Sequence, residues 1–101
     1  MHNHRVYHVS LYNTKTTITT TEKVITLKEV WTNCNWYGFN CESSSTKYIA
    51  FSTYFAQYNS YAYFTGDNYI YLHYHTPNNE FKVSVKSGSL QLNSIDGYRY
   101  L

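Results

Sequence analysis

Four turn-forming clusters cut the second half of this chain into short runs of similar length, and they constrain the fold more than any other feature. Gly66-Asp67-Asn68, Pro77-Asn78-Asn79, Ser87-Gly88 and Asp96-Gly97 separate the segments 60–65, 69–75, 80–86, 89–95 and 98–101. Gly-Asp, Ser-Gly and Asp-Gly tolerate the positive φ that tight hairpin turns demand. Between the turns, polarity alternates with a period of two. Phe81, Val83 and Val85 oppose Glu80, Lys82, Ser84 and Lys86, while Ile70, Leu72 and Tyr74 oppose Tyr69, Tyr71, His73 and His75. That period belongs to strands with two unlike faces, and strands at this spacing predict an antiparallel meander.

The first half extends the pattern less regularly. Residues 5–12 read as a strand whose faces are Tyr7, Val9, Leu11 and Val6, His8, Ser10, Tyr12. A turn at 13–15 precedes the β-branched run 16–21, whose stiff side chains favour extended backbone. Residues 23–31 continue as strand, with Ile25, Leu27 and Trp31 on one face. The stretch 33–46, rich in Asn and Ser around Gly38, reads as a loop. Segment 47–58 fits two descriptions: a strand face through Ile49, Phe51 and Phe55, or a short helix with Phe51, Tyr54, Phe55 and Tyr58 at helical spacing. Strand is the better match, because aromatic and β-branched residues dominate.

Composition agrees. Thirteen Tyr and five Phe supply most of a 20% aromatic content, and charged residues make up only 14%, against about 25% in an ordinary soluble domain. The 101 residues suffice for one domain. The expectation is a mainly β fold over 1–101, an antiparallel sheet or meander closing into a small sandwich or barrel-like domain. The apolar runs fall far short of the roughly 18 residues a membrane helix needs, and the N-terminus lacks a signal-peptide core, so a soluble protein without membrane association is expected.

The charge pattern argues against nucleic acid. Net charge is +2 and the eight Lys and Arg are scattered, whereas a nucleic-acid binder concentrates them on one surface. Catalytic constellations are missing as well. The sequence contains no Gly-rich phosphate loop, nucleophile elbow or HExxH, and the six acidic residues stand apart. No enzyme activity, catalytic residue or cofactor is expected. His73-x-His75 would put two rings on one strand face, but a zinc site needs a third ligand that no spacing selects, so no metal is expected either.

Three features remain as candidates for binding. Trp36, Tyr37 and Phe39 lie between Cys34 and Cys41, either as a presented recognition loop or as a hydrophobic plug. Tyr61, Tyr63, Tyr69, Tyr71, His73 and His75 share one face if their strands pair in register. That face is either covered by the N-terminal strands or left open as a platform. Cys34 and Cys41 admit one disulfide, closing a short loop bent at Gly38; the alternative is two free thiols.

In its abundance of Tyr, Thr, Asn and Ser and its scarcity of charge, the whole chain resembles small proteins of archaeal viruses from hot acidic habitats. It resembles bacteriophage host-takeover proteins in the same way. The resemblance implies an unusual β-rich fold with a host- or virion-directed binding role, in the host cytoplasm or at the virion or extracellular surface. A non-enzymatic viral interaction protein, contacting another protein through its aromatic residues, is the leading expectation. The alternatives are a small carbohydrate-binding, lectin-like module and a single-stranded nucleic-acid binder that stacks bases on Tyr.

Overall fold

The computed structural model describes residues 6–43, 46–53, 60–63, 69–72 and 79–100. They form nine strands: β1 (Val6–Tyr12), β2 (Thr16–Thr19), β3 (Lys23–Thr26), β4 (Trp36–Ser43), β5 (Thr46–Thr53), β6 (Ser60–Tyr63), β7 (Tyr69–Leu72), β8 (Glu80–Val85) and β9 (Ser89–Tyr100). A single 3-10 turn, Trp31–Asn33, precedes β4. All pairings are antiparallel and build two sheets. One runs β1-β9-β4-β5, with β2 also on β9; the other runs β3-β8-β7-β6. They pack face to face as a small sandwich.

The core lies between the sheets and is filled from both. Phe81 of β8 sits at its centre. It meets Tyr37 edge-on, with ring centroids 5.4 Å apart, and packs against Phe39 and Trp31 at 6.0 Å each. Leu11, Ile18, Ile25, Ile70, Val83, Leu92 and Ile95 complete it, all essentially inaccessible to water. Burying each such aliphatic side chain is worth about 1.5–3 kcal/mol. Tyr37 brings a hydroxyl into this apolar region, and the 3-10 turn accommodates it. The hydroxyl donates to the Trp31 carbonyl at 2.7 Å, with the Cys34 carbonyl at 3.3 Å.

Much of the predicted meander is present. β6 pairs with β7 and β7 with β8, in the expected order. The Ser87-Gly88 turn is real, and Gly88 takes a φ of 61° there. It does not join 80–86 to 89–95 as a hairpin, however. It carries the chain from one sheet to the other, and β9 pairs instead with β1, β2 and β4.

Asp96-Gly97 is not a turn. β9 runs unbroken through it. The glycine is required by packing: a Cβ at position 97 would stand 2.3 Å from Cys34 Sγ and 3.0 Å from Leu11 Cδ1. The other large correction is 33–46, where the expected loop contains β4, held by β9 on one side and β5 on the other. Two-sided pairing satisfies the strand's backbone, and this outweighs its Asn, Gly and Ser content. Segment 47–58 is strand as far as Thr53 rather than helix; its remainder lies outside the described residues. The strands expected over 16–21 and 23–31 stop at Thr19 and Thr26; Ile25, Leu27 and Trp31, expected on one face, are all buried.

Candidate binding face on the five-stranded sheet

β4 divides its side chains by parity. Tyr37, Phe39 and Cys41 point into the core, and Trp36, Asn40 and Glu42 lie half-buried on the outer side. The predicted aromatic loop is therefore split. Tyr37 and Phe39 are fully buried and cannot touch a ligand from the surface. Trp36 lies half-buried on the outer side.

On the outer side, Trp36 lies opposite Tyr98 of β9, and their rings stack with centroids 4.2 Å apart and planes inclined by 16°. Asn35 fixes this end of the sheet. Its N–H donates to the Tyr98 carbonyl at 2.7 Å, and its Oδ1 accepts from the Tyr100 N–H at 2.8 Å. His8 on β1 approaches the other side of Tyr98, at 5.5 Å between centroids. Burial, and then the charge of Asp96, push the Tyr98 hydroxyl above the ordinary tyrosine range. Beyond His8, at the end of the sheet, Val6 pairs with Tyr100; these are 48% and 61% exposed.

Next to the aromatic end lies a polar one. Asp96 pairs with His8 Nε2 through Oδ1 at 2.7 Å and accepts from Asn40 Nδ2 through Oδ2 at 2.8 Å. Asn40 also donates to Ser94 Oγ at 2.8 Å. One strand-turn away, Glu42 Oε1 accepts from Gln91 at 2.8 Å and from Asn93 at 3.1 Å, and Gln91 donates to Asn93 Oδ1 at 2.7 Å. A bulge makes the second cluster. The register shifts between Asn40 and Cys41, so β9 has one residue more than β4 there. Asn93 and Ser94 consequently sit together on the outer side while Leu92 and Ile95 both stay in the core, as an inserted residue permits.

The remaining candidates fall as follows. Tyr61 stands opposite Tyr71, and Tyr63 opposite Tyr69, so the expected register is present. The core takes the Ile70 side of β7, where Ile70 is fully buried and Tyr71 half-buried. His73 and His75 lie outside the described residues. Among the described residues, no three His, Cys, Asp or Glu side chains converge as a metal site would require.

Cys34 and Cys41 are both free and buried, which overturns the disulfide. A bond needs Cα atoms within about 4.4–6.8 Å, and β4 inserts roughly 15–20 Å of extended backbone between them. Burial raises both thiols, that of Cys41 to about 12. In Cys34, Arg99 opposes the rise and Glu29 adds to it. Neither sulfur is a thiolate at neutral pH, so neither is a ready nucleophile.

Sequence reasoning missed His8, Asn40, Asp96 and Tyr98. The signal is present in the alternation of 5–12 and of 89–100, but Asp96-Gly97 has the composition of a turn and the bulge reverses the phase within β9. No protein-family model matches the chain, and no curated protein or solved structure matches it. The fold and this face define an antiparallel β-sandwich with an aromatic-to-polar outer surface. Among the described residues, no helix is long and apolar enough to cross a membrane.

Proposed function

We propose that this chain is a non-enzymatic interaction protein and that the outer face of its five-stranded sheet docks a partner protein. The observation that carries the reading is the Trp36–Tyr98 stack, an aromatic pair built outside a core that is already filled. Large aromatics anchor protein interfaces, and an apolar centre with a polar rim is the usual anatomy of such contacts. Val6 and Tyr100 extend the centre, and His8, Asp96 and Asn40 form the rim. Hydrogen bonds already hold the rim in place, so little side-chain freedom is lost on docking. The compositional resemblance to small viral proteins adds a host- or virion-directed partner.

The test is parallel capture by immobilised wild-type protein, Trp36→Ala and Tyr98→Ala, with a thermal melt of each. Both variants should remain folded and lose the protein that the wild type retains. Retention of the same protein by both variants would overturn the reading. A glycan array probed with the same three proteins distinguishes the lectin-like alternative, in which a glycan signal, and no protein, depends on Trp36.

A further inference from the structure

β2 and β3 follow one another in the chain but belong to different sheets, and each is paired on one side only among the described residues. The chain arches between them, and a groove of about 620 Å³ lies in the arch. Val24 and Tyr12 contribute apolar surface, Thr17 and Thr26 bring hydroxyls, and Lys15 and Lys23 bring two ammonium groups. No carboxylate lines this groove, and neither lysine has a carboxylate partner among the described residues. A second groove, about 500 Å³, opens toward the polar end of the outer face and shares Lys15 and Thr17 with the first. It is lined further by Glu42, Ser43, Ser89 and Gln91. Both grooves are largely open to solvent.

The two linings differ in chemistry. The first offers cationic donors and hydroxyls, which suit an oxyanion. In the second, the Glu42 carboxylate is already hydrogen-bonded to two amides, and Thr17, Ser43, Ser89 and Gln91 add hydroxyl and amide groups, which suit a polyol. Lys15 stands where they meet. We infer that the joined grooves bind an anionic saccharide: a sugar whose sulfate or phosphate ester lies between Lys15 and Lys23 and whose hydroxyls contact Glu42, Ser43 and Gln91. This site is separate from the protein-docking reading and does not require Trp36.

The experiment is calorimetric titration, with amide chemical shifts followed in parallel. The probes are a sulfated disaccharide, its desulfated form, a hexose phosphate and inorganic sulfate. At least one ester should bind, shifting the amides of 16–19 and 23–26, and the desulfated sugar should not. Lys15→Gln and Lys23→Gln should each weaken binding by about tenfold or more, a loss of roughly 1.4 kcal/mol. Raising the salt from about 50 to about 200 mM should weaken it further. Arg99→Gln removes a cation at the far end of β9, and it should leave binding unchanged, as should Trp36→Ala. Whether the sulfate or the phosphate ester binds tells the two sources apart. Failure of both esters overturns the inference, as does an equal loss in Arg99→Gln. Inorganic sulfate binding as tightly as the esters overturns the saccharide part of it.

Discussion

Trp36 and Tyr37 are neighbours in the chain and opposites in environment. Tyr37 is buried against Phe81, and its hydroxyl is held by the carbonyls of the preceding turn. Trp36 stacks on Tyr98 at the outer surface, beside His8. The same contrast repeats between Phe39 and Asn40. In a protein this rich in aromatic rings, the number of rings in a segment says little about its role. The phase of each residue in the pleat decides whether it fills the core or lies on the outer face.

Phe39→Ala gives the largest separation of the two faces. It should destabilise by about 3–5 kcal/mol, the usual cost of emptying a core aromatic site, measured by urea unfolding. A loss near that of an exposed substitution would break the assignment of Phe39 to the core.

Cys41 tests the same face by pH. Its thiol has an ordinary value near 9 when the chain is unfolded and about 12 in the fold. The folded protein therefore holds this proton more tightly than the unfolded chain. Its contribution is intact below pH 9 and is lost as the pH climbs toward 12, by up to roughly 4 kcal/mol. Denaturant unfolding across this window should show a shallower decline for Cys41→Ala than for the wild type.

Gly97→Ala should cost about 1–3 kcal/mol through overpacking. Part of that cost should return when Cys34→Ala is added, because the new methyl group would collide with its sulfur. Additive losses in the double variant would place the strain elsewhere.

On the outer face the effects should be smallest. Trp36→Ala forfeits a stack worth about 0.5–1.5 kcal/mol, together with some half-buried area, and should melt well above Phe39→Ala. Asp96→Asn disturbs a pair whose His8 side chain is 56% exposed, and such pairs contribute roughly 0–1 kcal/mol. If Trp36→Ala melts as low as Phe39→Ala, the distinction between the faces fails.

The β class, the β6-β7-β8 order and the buried Ile25, Leu27 and Trp31 were legible in the sequence because period-two alternation and turn residues are local signals. β4 was not, although Tyr37, Phe39 and Cys41 alternate cleanly with Trp36, Asn40 and Glu42. Its identity as an inner strand depends on partners far along the chain. Asp96-Gly97 misled for a related reason: glycine there answers to the approach of Cys34 and Leu11, and a distant contact leaves no mark in the neighbouring residues. The outer-face cluster was hidden by the Asn93 bulge, which breaks the alternation that would otherwise have revealed it.

β9 collects β1, β2 and β4 along its length, with Val6 beside Tyr100 and Thr19 beside Ser89. During synthesis, then, the first strands leave the ribosome long before the strand that unites them has been made. β1 and β2 must wait unpaired and β4 can pair only with β5, so the five-stranded sheet can close only after β9 has been made. A topology with such high contact order folds on the slow side for its size. The emerging chain also presents ready-made strand edges to any neighbour, so the vulnerable interval for aggregation lies between synthesis of β1 and arrival of β9.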